Sequence, residues 1–143
     1  MNIWTNGCFD ILHPGHIDLL WYAKLYETSG MTPQEAMSKN TLYVGIDSDK
    51  TVKFLRGEKR PINDQYHRAK MLSNLKMVDS VVIFDNESEL ESFIRVFNID
   101  YMVIGDQYKD KRVVGGELPK SGVIFYPVDG HSSTNIIEKI KSA

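Results

Sequence analysis

His13 and His16 stand three residues apart across Pro14-Gly15, with Gly7, Cys8, Phe9 and Asp10 just ahead of them. Imidazoles at such spacing can ligate a metal, relay a proton or donate hydrogen bonds to an anion. A zinc-protease pair needs HExxH, and the single cysteine, Cys8, completes no ligand set, so no metal ligands are assigned to the protein. The anion reading fits the surroundings. Ile3 and Trp4 open a short apolar strand, Gly7 lets the backbone approach a ligand, and Pro14 suits the first turn of a helix. His16 then falls near a helix N-terminus, where orphan N–H groups and the macrodipole favour phosphate. The segment reads as strand, phosphate loop and helix, with imidazoles among the phosphates.

Further along, Lys53 and Arg56 follow Asp47-Ser48-Asp49 at the end of a second strand, where cations neutralise phosphates at a sheet edge. Arg60 and Arg68 add charge suited to bidentate phosphate or carboxylate recognition. Gly105 and Asp106 end a later strand, where a ligand's base or acceptor would lie. Near the far end, Ser132, Ser133 and Thr134 precede an apolar stripe, so hydroxyls and unpaired N–H groups open a helix there.

These parts need a scaffold, and the pattern supplies strands alternating with helices. An apolar helix runs through Ile17, Leu20, Ala23 and Leu25, and strands are expected over 42–46, 81–84, 101–104 and 123–126. A helix is expected over 65–76. Leu90, Phe93, Ile94 and Phe97 follow helical spacing, and Ile136, Ile137 and Ile140 mark a last helix. Such alternation predicts an α/β fold with a parallel sheet covered on both faces. Two excursions interrupt it. In 27–40, Thr32-Pro33-Gln34-Glu35 reads as a capping box opening a short helix, Pro33 to Lys39, on a surface elaboration. The charged, glycine-containing stretch 107–122 follows a strand's carboxyl end, where open α/β sheets bind ligands.

The 143 residues suit one domain, 1–143, with a single core. Charged residues make up 25% and the formal net charge is -2, with no basic run, so no nucleic-acid partner is expected. One cysteine fits a reducing compartment, and no apolar run reaches membrane-spanning length. The phosphate motif occupies the first strand, which a cleaved leader would remove. A cytoplasmic protein with no membrane partner is the expectation.

Thr5-Asn6-Gly7-Cys8-Phe9-Asp10-Ile11-Leu12-His13-Pro14-Gly15-His16 matches TxGxFDxxHxGH, the signature of the cytidylyltransferase-like nucleotidyltransferases. The chain resembles that family over nearly its whole length. Further matches are Val44-Gly45-x-Asp47-Ser48-Asp49, Lys53, Arg60-Pro61-x-Asn63 leading to Arg68, Gly105-Asp106 and Ser132-Ser133-Thr134. It looks most like the adenylyltransferase domains of bacterial ADP-heptose synthases, on Asp129-Gly130-x-Ser132-Ser133-Thr134-Asn135-Ile136-Ile137, and next like glycerol-3-phosphate cytidylyltransferases. It departs from them in the 27–40 excursion, in a shorter loop after Tyr108 and in His131, where relatives carry a smaller residue.

The resemblance implies a Rossmann-like three-layer fold of the HxGH type with a mainly parallel sheet. It implies nucleotidyl transfer from a nucleoside triphosphate to a phosphorylated small molecule, with Mg²⁺ carried mainly by the triphosphate, and a homodimer. His13, His16 and Lys53 become catalytic. Thr5, Gly7, Cys8, Phe9, Asp10, Gly105, Asp106, Ser132, Ser133 and Thr134 become nucleotide contacts, and Asp49, Lys53, Arg60 and Arg68 acceptor contacts. ATP with a sugar 1-phosphate, or CTP with a phospho-alcohol, remain alternatives, as does a non-catalytic nucleotide-binding module. That module would be expected to have lost a histidine or the lysine. A dinucleotide-dependent oxidoreductase would need a glycine-rich first turn, which is absent.

Overall fold

A computed structural model describes residues 1–127 and 132–143. The readings placed on Asp129, Gly130 and His131 lie outside the described residues. The chain runs β1 (Asn2–Gly7), α1 (Pro14–Lys24), α2 (Pro33–Lys39), β2 (Thr41–Asp47), α3 (Asp49–Arg56), α4 (Gln65–Ser73), β3 (Ser80–Phe84), α5 (Glu87–Val96), β4 (Tyr101–Gly105), β5 (Val123–Tyr126) and α6 (Ser133–Lys141). A single 3-10 turn, Asp106–Tyr108, follows β4. All strand pairs are parallel, in the order β3-β2-β1-β4-β5. The expectation of a mainly parallel sheet is met by a fully parallel one.

Alternation within the strands builds a core on each face. Ile3 of β1 and Val103 of β4 pack with Leu20 of α1 and Leu72 of α4. Trp4, Met102 and Ile104 point the other way, onto Leu90 and Ile94 of α5. Strand order runs outward in both directions from β1, so the β1–β4 junction is the switch point at which such sheets open a ligand crevice at their carboxyl ends.

Helix starts follow their caps. Thr32, Ser48, Asp64, Asn86 and Ser132 each accept a hydrogen bond from the N–H three residues on. The helix expected over 65–76 stops earlier, at Ser73, with Asn74 as its C-cap. Helix α3 was not expected. Its apolar residues Phe54 and Leu55 face solvent and only Val52 is buried, so it carries no buried stripe to reveal it.

The 27–40 excursion is stitched to the opposite end of the sheet. Asn40 Nδ2 donates to the carbonyls of Lys24 (3.1 Å) and Tyr26 (2.8 Å). The buried Lys24 ammonium donates to the Asn40 carbonyl and to Asp79 Oδ2, both at 2.6 Å. Asp79 Oδ2 also accepts from Leu42 N–H at the start of β2 (2.7 Å). This excursion therefore braces the strands' amino ends, in line with a surface elaboration.

Gly45 in β2 is set by close packing. A Cβ there would lie 2.4 Å and 2.5 Å from ring atoms of Trp4, a fully buried side chain. The indole cannot yield cheaply, because its Nε1–H donates to Asn6 Oδ1 at 2.9 Å. Gly45→Ala should destabilise the fold by about 1–3 kcal/mol, the usual cost of overpacking, read as a lower urea midpoint at unchanged slope. An unaltered midpoint would mean that Trp4 has room to shift.

Candidate functional site

A cleft opens at the carboxyl ends of β1 and β4. Its walls are Thr5, Asn6, Gly7, Cys8, Phe9 and Asp10 from β1 and the following loop, with His13, Gly15, His16 and Leu19 from the start of α1. Arg56 and Arg60 close one side, Gly105, Gln107 and Tyr108 a second, and Ser132, Ser133 and Thr134 at the start of α6 a third.

The two histidines form one unit. His13 caps α1: His16 N–H donates to His13 Nδ1 at 3.4 Å, and His13 N–H donates back to His16 Nδ1 at 3.3 Å. Their rings stack with centroids 3.7 Å apart. Because each Nδ1 accepts a backbone N–H, each neutral ring carries its proton on Nε2. The pair is therefore arranged as hydrogen-bond donors, and both rings line the cleft. Burial, and then the proximity of His13, lower the pKa of His16 from 6.5 to about 3, so its imidazole is neutral at physiological pH.

Phe9 supports this pair at a cost. Its backbone has φ 51°, a left-handed conformation costing a non-glycine residue about 1–3 kcal/mol. The turn folds its ring under the loop, 5.0 Å from the His16 ring. A Cβ at Gly7 would sit 3.3 Å from that ring, so glycine lets the loop lie close over it.

On the facing wall, Ser132 caps α6 by accepting from Asn135 N–H at 2.9 Å. The Ser133 hydroxyl donates to the Ile11 carbonyl (2.9 Å) and accepts from Ile11 N–H (3.2 Å), tying α6 to the phosphate loop. The positive end of α6 thereby faces the histidines across the cleft. Cys8 lines the cleft too, but burial pushes its thiol pKa up, which disfavours a thiolate nucleophile.

The acceptor-side residues separate into two groups. Arg60 lines the cleft. Arg68 lies beneath it, 1% exposed, its guanidinium bound to four protein oxygens, one of them Asp49 Oδ1 at 2.8 Å. Lys53 is exposed on α3 and does not line the cleft; Arg56, three residues on and so on the same side of the helix, does. Among the described residues neither Arg56 nor Arg60 has a carboxylate within ion-pair distance. Asp10 reaches the cleft wall while both its oxygens accept backbone N–H groups, from Ile62 and Asn63, at 2.8 Å. Asp106 heads the 3-10 turn, exposed, and its neighbours Gln107 and Tyr108 form the wall.

Arg56 was expected only as a cation at the sheet edge, and Gln107 and Tyr108 only as part of the 107–122 stretch, not as individual contacts. Arg56 had a signal in the sequence: Ser48-Asp49 as a helix start and Gly57 as its stop would have put Lys53 and Arg56 on one helical face. Among the described residues no three His, Cys, Asp or Glu side chains converge as metal ligands, and no helix is long and apolar enough to cross a membrane.

Residues 4–139 match the family model described as cytidylyltransferase-like. The bifunctional protein HldE of Campylobacter fetus subsp. fetus is 45% identical over 139 residues, covering 97% of this chain and 28% of that protein. The bifunctional protein HldE of Nitratiruptor sp. is 41% identical over 140 residues, 98% of this chain and 28% of that protein. The chain thus spans a little over a quarter of the length of these relatives. In fold it is similar to the crystal structure of the lipopolysaccharide core biosynthesis protein from Thermoplasma volcanium, with TM-score 0.61 and 21% identity over 92% of this chain and 98% of that one.

The depressed pKa of His16 has a consequence for stability. Between pH 6.5 and about 3 the unfolded chain binds a proton at this residue that the native state refuses. The stability it contributes is complete above the unfolded value and is lost as pH falls below it. Comparing melting temperatures of wild type and His16→Gln from pH 8 to pH 5 should show the wild type losing more on the acid side. Parallel pH profiles would mean that His16 titrates normally.

Proposed function

The chain belongs to the cytidylyltransferase-like family, and from that membership we propose that it transfers a nucleotidyl group from a nucleoside triphosphate to the phosphate of a small phosphorylated acceptor, releasing pyrophosphate. The observation that carries this reading is the stacked, mutually capped pair His13–His16 facing the N-terminus of α6 across a cleft that also holds Arg56 and Arg60, which have no carboxylate partner among the described residues. Such a cleft is equipped for polyphosphate at one side and a second anion at the other.

An acceptor phosphate oxygen is already nucleophilic. It forms the new bond to the α-phosphorus as the bond to the pyrophosphate oxygen breaks, and no protein nucleophile is required. The protein's work is in-line positioning and stabilisation of charge on the α-phosphate and the leaving pyrophosphate. His13 and His16 donate from Nε2 to phosphate oxygens, and His16, being neutral, does so across the physiological pH range. Thr5, Gly7, Cys8, Phe9 and Asp10 shape the nucleotide side, with Gly105 and the turn headed by Asp106 nearer the base. Ser132, Ser133, Thr134 and the first N–H groups of α6 receive the outer phosphates. Arg56 and Arg60 take the acceptor phosphate, while the role of Lys53 between acceptor and α-phosphate rests on the family resemblance alone, its side chain lying outside the cleft lining. Mg²⁺, as the family resemblance implies, would ride mainly on the triphosphate and would supply charge neutralisation there.

The resemblance to the ADP-heptose synthase domains favours ATP and a sugar 1-phosphate over CTP and glycerol 3-phosphate. Pyrophosphate release should therefore require a triphosphate, Mg²⁺ and a phosphorylated acceptor together, in a screen of four triphosphates against heptose 1-phosphate, glycerol 3-phosphate and phosphoethanolamine. A nucleotidyl–protein adduct in intact mass would overturn direct transfer, and a clear preference for CTP in titration calorimetry would move the assignment to the cytidylyl branch. His16→Ala should lower kcat by ~10²–10³, the usual loss for one preorganised donor to transition-state charge, with a much smaller effect on triphosphate binding. Near-normal turnover would make His16 a scaffold residue.

A further inference from the structure

Arg68 is the most connected buried polar group of the cleft floor. Its Nε donates to the Asn63 carbonyl at 3.0 Å, and its Nη1 to the carbonyls of Cys8 and Asp47 at 2.8 Å each. Its Nη2 donates to Asp49 Oδ1 at 2.8 Å. These four acceptors belong to four separate parts of the site. Cys8 lies in the phosphate loop, and Asp47 ends β2. Asp49 opens α3, whose last residue is Arg56. Asn63 lies three residues after Arg60. The segment holding Asn63 is gripped from its other side by Asp10, whose carboxylate takes the Ile62 and Asn63 N–H groups, while Asn63 Nδ2 donates to the Asp10 carbonyl at 3.0 Å.

One guanidinium thus sets where both cleft arginines sit relative to the phosphate loop: Arg56 through Asp49, Arg60 through Asn63. We propose that Arg68 is a positioning residue that holds Arg56 and Arg60 at the spacing of a single phosphate-binding site, without itself touching a ligand. The reading of that phosphate as the acceptor's rests on the proposed nucleotidyl transfer; the anion site does not. Only a planar fork serves these four oxygens. A lysine at 68 keeps the charge but has three donors at one point and cannot span them.

The test uses inorganic phosphate as the probe, titrated calorimetrically into the full chain and its variants, together with steady-state kinetics on whichever acceptor the wild type uses. Arg68→Lys should weaken phosphate binding and raise the acceptor KM by roughly tenfold or more, misplacement of about 1 Å at such a site being costly. Mg²⁺-triphosphate affinity should fall clearly less than phosphate affinity, since Arg68 touches the nucleotide side only through the Cys8 carbonyl while the histidines cap one another and α6 is tied to Ile11. A general loss of structure would move both affinities together.

Where Arg68→Lys does not melt cooperatively, Asp49→Ala decides. Asp49 is partly exposed, and its loss frees only the α3 arm. Asp49→Ala combined with Arg56→Ala should then bind phosphate no worse than Arg56→Ala alone, within about twofold, since both act through one contact. Additive losses overturn the proposal, as does a folded Arg68→Lys with wild-type phosphate affinity and acceptor KM. A wild type that binds no phosphate overturns it too, because there is then no site to position. A wild type that binds phosphate but transfers no nucleotide defeats the functional reading alone, and the calorimetric comparison still decides the role of Arg68.

Discussion

Removing a guanidinium from water costs several kcal/mol unless its donors find acceptors, and truncating one partner of such a buried group is among the more damaging changes a protein meets. Arg68 satisfies that demand with oxygens from the phosphate loop, the end of β2, the start of α3 and the segment before α4. Three of the four are main-chain carbonyls at strand ends and in loops, groups that the sheet itself cannot pair. The same charge that must be neutralised therefore satisfies the irregular backbone on which an open α/β site is built. Cleft geometry and local folding free energy become one quantity, because neither the loops nor the cation is at rest without the other.

The two ends of the sheet solve the problem of buried charge for different purposes. At the amino ends, Lys24, Asp79 and Asn40 close on one another and brace β2 and the 27–40 excursion against α1. At the carboxyl ends the polar groups are only partly closed. Arg68 and Asp10 are bound by other protein groups, whereas among the described residues neither Arg56 nor Arg60 has a carboxylate within ion-pair distance. A backbone strained at Phe9 sits at this end as well. Local strain meets cations that have no ion-pair partner among the described residues at this edge, a combination that suits preorganisation for an anion.

Much of this was legible in the sequence, and for identifiable reasons. Strands β3, β4 and β5 are nearly continuous apolar runs, as strands of a parallel sheet covered on both faces are, and the opening motif compresses strand, loop and helix start into one window. Pro33 to Lys39 was read correctly because proline and the Thr32 cap mark its start. Helix α3 was missed because it packs through Val52 alone, leaving periodicity nothing to report. Lys53 and Arg56 were read together as cations past the strand's end, and the resemblance alone singled out Lys53, whereas the structure places Arg56 in the cleft wall. Arg68 carried a subtler ambiguity. An arginine near a predicted phosphate site reads as a ligand contact, and only three-dimensional placement distinguishes one that meets a substrate from one that meets carbonyls.

The Ser133 hydroxyl holds both the N–H and the carbonyl of Ile11, joining segments 122 residues apart. β1, at the centre of the sheet, precedes α6 by more than a hundred residues, yet the wall that completes its cleft comes from α6. The protein therefore cannot acquire a finished phosphate site gradually during synthesis. A chain that has formed β1 and α1 but not α6 has the histidines without the opposing wall, so the complete cleft belongs to a chain whose long-range topology has already closed. Binding competence is in this sense a built-in report of completed folding, and a ligand present in the cell would select for molecules that have reached it.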